Sequence, residues 1–236
     1  MPQTQAFIDN KRTTTLTDRQ ATPASQGASD AYHRWYYDSE VWLGVEFMGV
    51  PCYKSVADMW NYQEIIASQK PAMIVEFGTR FGGAALYFSV IGRAVNPGIR
   101  VVSVDISHHD VYPQVLADPT IQLITSSSTD PGVAVNLASL RKVFDGPVFF
   151  ILDSDHRKHH VLAEMELLRG ITRPGDYLVV EDGNINGNPV LPGWGEGPFE
   201  AIAEYRAKYP GDYHHDAERE AKFGFTFAPN GFLIRR

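Results

Sequence analysis

The stretch Met73 to Leu86, MIVEFGTRFGGAAL, constrains the fold of this chain more than any other. Met73 to Phe77 is a short apolar run closed by glycine, the pattern of a central strand in a sheet covered on both faces. Gly78, Gly82 and Gly83 form a turn, where a missing Cβ lets the backbone bend sharply and lets a ligand approach. A helix starting near Ala84 aims its free N–H groups at the same place. Spacing narrows the choice of ligand. The order E-F-G-T-R-F-G-G fits neither G-x-G-x-x-G nor the P-loop, which needs a lysine after its last glycine.

The 236 residues are 44% hydrophobic and 21% charged, enough for one well-cored α/β domain with an extension. A net charge of −7 without any lysine and arginine cluster argues against a nucleic-acid partner. Cys52 is the only cysteine, which excludes an internal disulfide and a thiolate zinc cage and fits a reducing compartment. The N-terminus lacks the apolar core of a signal peptide and no run is long enough to span a membrane, so a soluble cytoplasmic protein is expected. Residues 1–30, rich in Thr, Gln and Ser, are expected to be a flexible tail, a lid or an arm onto another subunit, and a homo-oligomer is expected. Residues 31–70 concentrate aromatics, among them Trp35, Tyr36, Tyr37, Trp42, Tyr53 and Tyr62. Such a segment packs under the sheet as a helical layer or forms the wall of a pocket for a bulky substrate.

From residue 71 onward, strand and helix patterns alternate. Strands are expected at Met73–Phe77, Arg100–Asp105, Ile121–Thr125, Val148–Asp153 and Tyr177–Asp182, with helices over about Ala84–Ala94, Pro131–Phe144, Lys158–Leu168 and Phe199–Tyr209. Ile106 to Thr120 reads as a short helix or loop, and 184–198, rich in Gly, Pro and Asn, as a lid or binding loop. Phe223–Ala228 and Phe232–Arg235 are expected to form a terminal hairpin through Asn230-Gly231. The result is an α/β fold: a doubly wound, mostly parallel, seven-stranded sheet with a C-terminal hairpin.

Ligands of such sheets bind beyond the carboxyl ends of the strands, where Glu76, Asp105, Asp153, Glu181 and Asp182 converge. Carboxylates crowded together need cations or hydrogen-bond donors to offset their repulsion. Asp153, Glu181 and Asp182 form an all-oxygen set suited to Mg²⁺, Mn²⁺ or Ca²⁺. His156, three residues after Asp153, is placed to take a proton from a substrate hydroxyl, with Asp155 as the alternative base.

The glycine turn with Glu76 on the preceding strand and Asp105 closing the next resembles motif I of class I methyltransferases that use S-adenosylmethionine. From about Trp42 onward, E-F-G-x-x-x-G-G, I-L-D-x-x-H and V-V-E-D resemble the cephalosporin hydroxylase family, which includes rhamnosyl O-methyltransferases of antibiotic biosynthesis. The last two motifs are also similar to those of Mg²⁺-dependent macrolide sugar O-methyltransferases. The resemblance implies a cofactor site at Glu76, Gly78, Thr79, Gly82, Gly83, Asp105, Ser127 and Asp153, Mg²⁺ at Asp153, Glu181 and Asp182, and His156 as base. Ser126-Ser127-Ser128 replaces an acid-bearing segment of the pattern, which leaves the adenine contacts unassigned. The function implied is a Mg²⁺-assisted O-methyltransferase using S-adenosylmethionine. Its acceptor is a small molecule with a hydroxyl group, a sugar of a natural-product glycoside in antibiotic or secondary-metabolite biosynthesis. Two rivals are a hydroxylation component, as the family name suggests, and a non-catalytic partner that retains the cofactor fold.

Overall fold

In the computed structural model, which describes residues 23–236, the apolar runs pair into one sheet. Strands β3 (Met73–Phe77), β4 (Arg100–Asp105), β5 (Ile121–Thr125), β6 (Val148–Leu152) and β7 (Tyr177–Val180) are parallel, and β8 (Tyr213–His215) and β9 (Phe232–Arg235) close one edge antiparallel. The seven-stranded order is β5-β4-β3-β6-β7-β9-β8, with the turn after β3 at the point where the chain switches direction. A separate two-stranded ribbon, β1 (Glu46–Phe47) and β2 (Val50–Pro51), precedes the sheet.

The period-two alternation of the strands sends side chains to two cores. Ile74, Val101, Phe149, Ile151 and Val179 face one layer, built by α2 (Val56–Gln69) and α3 (Gly83–Val95). Val75, Phe77, Val104, Phe150, Leu152 and Leu178 face the other, built by α5 (Pro131–Val143), α6 (Lys158–Arg169) and α7 (Pro198–Lys208), whereas the short α4 (Pro113–Leu116), on the connection from β4 to β5, places Val115 in the first layer. Helix starts carry their own caps: Ser55 accepts from Asp58 N, and Asp130 accepts from Gly132 N just before Pro131. At the amino ends of the strands the buried Arg141–Asp176 pair ties α5 to the segment before β7, and Asp176 also accepts from Val148 N.

Two expectations change. The hairpin partner of β9 is Tyr213–His215, not Phe223–Ala228. The backbone of the latter segment is engaged elsewhere, since Phe227 N and Thr226 Oγ1 donate to the buried Asp58 carboxylate on α2. The segment's aromatics follow, with Phe225 and Phe227 packed on His33 and Tyr36. Of the expected tail, residues 1–22 lie outside the described residues, while 23–30 belong to helix α1 (Pro23–Asp38). The aromatic segment 31–70 is a helical layer, made of the end of α1, a 3-10 turn at Val41–Gly44, the β1–β2 ribbon and α2. Among the described residues no helix is long and apolar enough to cross a membrane.

Helix α1 is fastened to the 184–198 loop by His33, which is buried against Phe227 and hydrogen-bonded to the Asn184 amide at 2.9 Å. Burial pushes the His33 imidazole down to about 4. Below pH 6.5 the unfolded chain takes up a proton that the folded chain refuses, so stability falls from pH 6.5 toward 4 and this loss levels off below. The shift corresponds to roughly 3 kcal/mol across that window. Chemical denaturation of wild type and His33→Gln between pH 7 and 4 should show a shallower decline in the variant; parallel declines would mean that His33 does not stay neutral when folded.

Candidate active site

The strand registers bring the chemistry level. Phe77 lies beside Val104 and Leu152, and Leu152 beside Val180. The next residues along each strand are therefore neighbours: Gly78, Asp105, Asp153 and Glu181. Gly78 N bonds to Val104 O, Asp153 N to Phe77 O and Glu181 N to Leu152 O, so the ladder runs to the very edge of the site. Asp182, one residue further, adopts a left-handed backbone with φ of 53°. A non-glycine residue in that region is held there by its surroundings.

The expected metal trio is divided by the geometry. Asp153, His156 and Asp182 present ligand atoms that all lie within 4.8 Å of one another, and His156 Nε2 is 3.2 Å from Asp182 Oδ2. Glu181 is not brought into that group. Its Oε1 accepts from Lys54 Nζ at 2.7 Å and from the Tyr62 hydroxyl at 2.9 Å. Lys54 also donates to Asp153 Oδ2 at 2.6 Å and stands 3.8 Å from Glu76 Oε1. Lys54, Glu76 and Glu181 are 2%, 1% and 3% exposed, so this charge cluster is shielded from water. Burial opposes a charged ammonium, yet Asp153, Glu181 and Glu76 outweigh it and hold the Lys54 pKa well above its ordinary value. Burial raises the Glu76 carboxyl to about 7 against the pull of Lys54.

His156 shows the same contest. Its burial would lower the imidazole pKa, but Asp182, Asp153 and Asp155 hold it above the ordinary value. Asp155 is engaged instead with Arg157, accepting from its backbone N–H at 2.9 Å and its guanidinium at 3.1 Å. His156, unlike Asp155, thus faces the paired acids.

At the other end of the rim, Asp105 Oδ2 accepts from Thr79 N at 2.8 Å and Arg80 N at 3.2 Å, which fixes the turn after β3. The Thr79 hydroxyl bridges Ser103 and His108. The glycines serve the protein's own close approaches: a Cβ on Gly78, whose φ is +97°, would lie 1.9 Å from the Asp153 carbonyl, and one on Gly83 would lie 2.2 Å from the Pro51 carbonyl. Ser127 bonds to Thr129, while Ser128 bonds to His160 Nε2 at 2.9 Å, itself 3.4 Å from the buried Glu164. One cavity of about 540 Å³ runs along the rim. Glu76, Gly78, Thr79, Gly83, Asp105, Ser127, Asp153, His156 and Asp182 line it; Gly82 and Glu181 do not. Tyr37, Trp42, Tyr53 and Phe227 form one wall, and Ile185, Leu191 and Trp194 of the 184–198 loop another.

Sequence reading missed Lys54, Tyr62 and Asp58. The segment P-C-Y-K-S carries no motif, and a lysine before a helix reads as a surface residue until the sheet places three acids around it.

A sheet of this order, with helices on both faces and a glycine turn at its switch point, is the fold of class I methyltransferases. Residues 39–236 match the family model "Rhamnosyl O-methyltransferase/CmcI", and the chain belongs to that family. It is 53% identical over 211 residues to a rhamnosyl O-methyltransferase of Mycobacterium tuberculosis (strain ATCC 25618 / H37Rv), covering 89% of this chain and 86% of that one. A Mycobacterium leprae (strain TN) rhamnosyl O-methyltransferase is 52% identical over 208 residues, covering 88% and 90%. Among solved structures, a CmcI N160 protein with S-adenosylhomocysteine superposes with a TM-score of 0.65 at 18% identity, over 94% of this chain and 96% of that one. A CmcI D160 protein with Mg and S-adenosylmethionine gives 0.64 at 16%, over 82% and 77%.

Gly78→Ala should destabilise the protein by roughly 2–4 kcal/mol, from the collision with Asp153 and the positive φ together. Urea denaturation checks this; a loss under about 0.5 kcal/mol, the level of a neutral surface change, would show that the strand ends can part.

Proposed function

We propose that the protein is an O-methyltransferase that uses S-adenosylmethionine to methylate a hydroxyl of a rhamnosyl unit, assisted by a divalent cation. The observation that carries this reading is the meeting of Asp153, His156 and Asp182 on the wall of the same cavity that Glu76, the glycine turn and Asp105 line. Relatives at 53% and 52% identity that are named rhamnosyl O-methyltransferases support the acceptor.

The residues fit both groups. Glu76 is a buried acid opening on the cavity, with Ser103 as its hydrogen-bond donor, and suits the ammonium of an amino-acid moiety. Asp105 keeps lone pairs beyond those used by the Thr79, Arg80 and Ser107 backbone, and suits a ribose diol. The carboxylates of Asp153 and Asp182, with no thiolate beside them, suit Mg²⁺ or Mn²⁺, and the neighbouring His156 imidazole is left to carry a proton. When bound, the cofactor supplies an electrophilic methyl group and the cation lowers the pKa of a hydroxyl.

The chain's own residues do the rest. Tyr37, Trp42 and Tyr53 offer aromatic faces to a sugar ring, and Leu191 and Trp194 exclude water from the other side. His156 Nε2 accepts the hydroxyl proton, and Asp182 at 3.2 Å stabilises the imidazolium that results. An iron-dependent hydroxylation component is disfavoured, because the group at the rim holds one histidine and two carboxylates rather than two histidines and one.

Titration of the metal-stripped protein with S-adenosylmethionine should show a single site, and incubation with a rhamnosyl glycoside and Mg²⁺ should release S-adenosylhomocysteine. Oxygen uptake in place of that product would favour hydroxylation, and neither would favour a binding protein. His156→Ala should lower kcat about 10²- to 10⁴-fold and leave cofactor affinity nearly unchanged. A variant that loses the cofactor instead would contradict the role given to His156.

A further inference from the structure

Helix α1 meets the cavity with one residue and stands behind it with another. Tyr37 lines the cavity, while His33, one helical turn earlier on the same face, does not reach it. His33 is only 4% exposed and touches two of the cavity's walls from the rear. Its ring is stacked on Phe227 of the aromatic wall, with centroids 5.7 Å apart and planes 14° from parallel. Its Nε2 lies 2.9 Å from the side-chain amide nitrogen of Asn184, the root of the 184–198 loop that forms the other wall. We propose that His33 is a positioning residue for the acceptor: it sets the separation of the aromatic wall and the loop wall, and so the affinity for a sugar held between them, without touching the sugar. This rests on the reading above that these walls receive a rhamnosyl unit.

The joint is firm on both sides. Asn184 is fully buried, its backbone N–H donates to the Phe227 carbonyl at 3.3 Å, and its own carbonyl accepts from Val190 N at 3.0 Å. Gly187 N donates to the Val190 carbonyl at 2.7 Å, so the start of the loop is tied into a closed turn that moves with Asn184. A second fastening lies on the surface, where Arg34 Nε donates to the Pro189 carbonyl at 3.4 Å. On the aromatic side, Tyr37 and Trp42 pack edge-on against Phe227, with centroids 5.5 Å and 6.5 Å away. A shift of Phe227 therefore shifts the faces offered to a sugar ring.

An imidazole suits this place because it joins a flat face for stacking to a ring nitrogen for an amide. Alanine supplies neither contact, phenylalanine only the first and glutamine only the second. Residues 39–236 carry the family match and α1 precedes them, so the fastening is made by residues outside the matched stretch.

The test is steady-state methylation of p-nitrophenyl rhamnoside by the full chain as wild type, His33→Ala, His33→Phe and His33→Gln. Calorimetric affinity for S-adenosylmethionine and amide hydrogen exchange are measured on the same samples. His33→Ala should raise KM for the rhamnoside at least about fivefold and leave kcat and cofactor affinity within about twofold, the split expected when ground state and transition state lose binding equally. Exchange in residues 184–190 should quicken at least about tenfold while β3 to β7 keep their protection. His33→Phe and His33→Gln, each keeping one contact, should fall between. Where His33→Ala does not fold, His33→Phe carries the same test, since it fills the space and removes only the bond to Asn184. An unchanged KM, a fall in kcat as large as the rise in KM, or quickened exchange spread evenly through the sheet would overturn the proposal. If wild type leaves the rhamnoside unmethylated, the acceptor reading fails by itself. Quickened exchange confined to 184–190 then keeps His33 as the residue that holds the two walls together, and unchanged exchange removes it as well.

Discussion

Acids at the ends of adjacent strands repel one another, and the Lys54 ammonium offsets that repulsion from inside the protein. Removing one partner from a buried ion cluster leaves an uncompensated charge at a cost of about 3–5 kcal/mol, whereas an exposed pair contributes little. Lys54 is therefore structural as well as electrostatic. It comes from the segment between β2 and α2, and its partners come from the ends of β6 and β7. The charge cluster thereby docks the N-terminal layer onto the sheet. Asp58, one turn into α2, repeats the device with hydrogen bonds by holding Thr226 and Phe227.

The rim that results is graded. Toward β4, the acid Asp105 is used partly by the protein, which spends its Oδ2 on the Thr79 and Arg80 backbone to shape the turn. In the middle, Glu76 and Glu181 are buried beside Lys54. Toward the loop after β7, Asp182 and His156 are partly open to the cavity, and the left-handed backbone of Asp182 turns the chain there. Neighbouring acids therefore differ in their partners. The glycine turn belongs to the same scheme: its glycines let the ends of β3 and β6 and the β1–β2 ribbon come close enough for the acids to share one space.

The fold tolerates much sequence change. At 18% identity, the CmcI structure still superposes with a TM-score of 0.65. Such a sheet needs apolar strands, amphipathic helices and glycine at a few points of close approach, and many sequences meet those demands. The cavity walls come from outside the sheet. They are drawn from the aromatic N-terminal layer and from the 184–198 loop, which helix α1 holds through His33 on Asn184 and Arg34 on the Pro189 carbonyl.

The sequence by itself determined the strands from β3 to β7, the helices between them and the strand-end placement of Glu76, Asp105, Asp153 and Glu181. These depend on local periodicity and on where each apolar run stops, both of which are written along the chain. It also marked His156 and the glycine turn, because their spacing from a strand end is short. Tertiary structure decided what no local pattern could carry. Lys54 lies 99 residues from Asp153 and 127 from Glu181, so their pairing exists only once α2 has docked on the sheet. The edge strand Tyr213–His215 replaced Phe223–Ala228 for a similar reason, because Asp58 claims the backbone of the latter from a distant helix. Strand ends are fixed by neighbours in sequence, whereas the partner of a buried charge is fixed by whichever group the packing brings within reach.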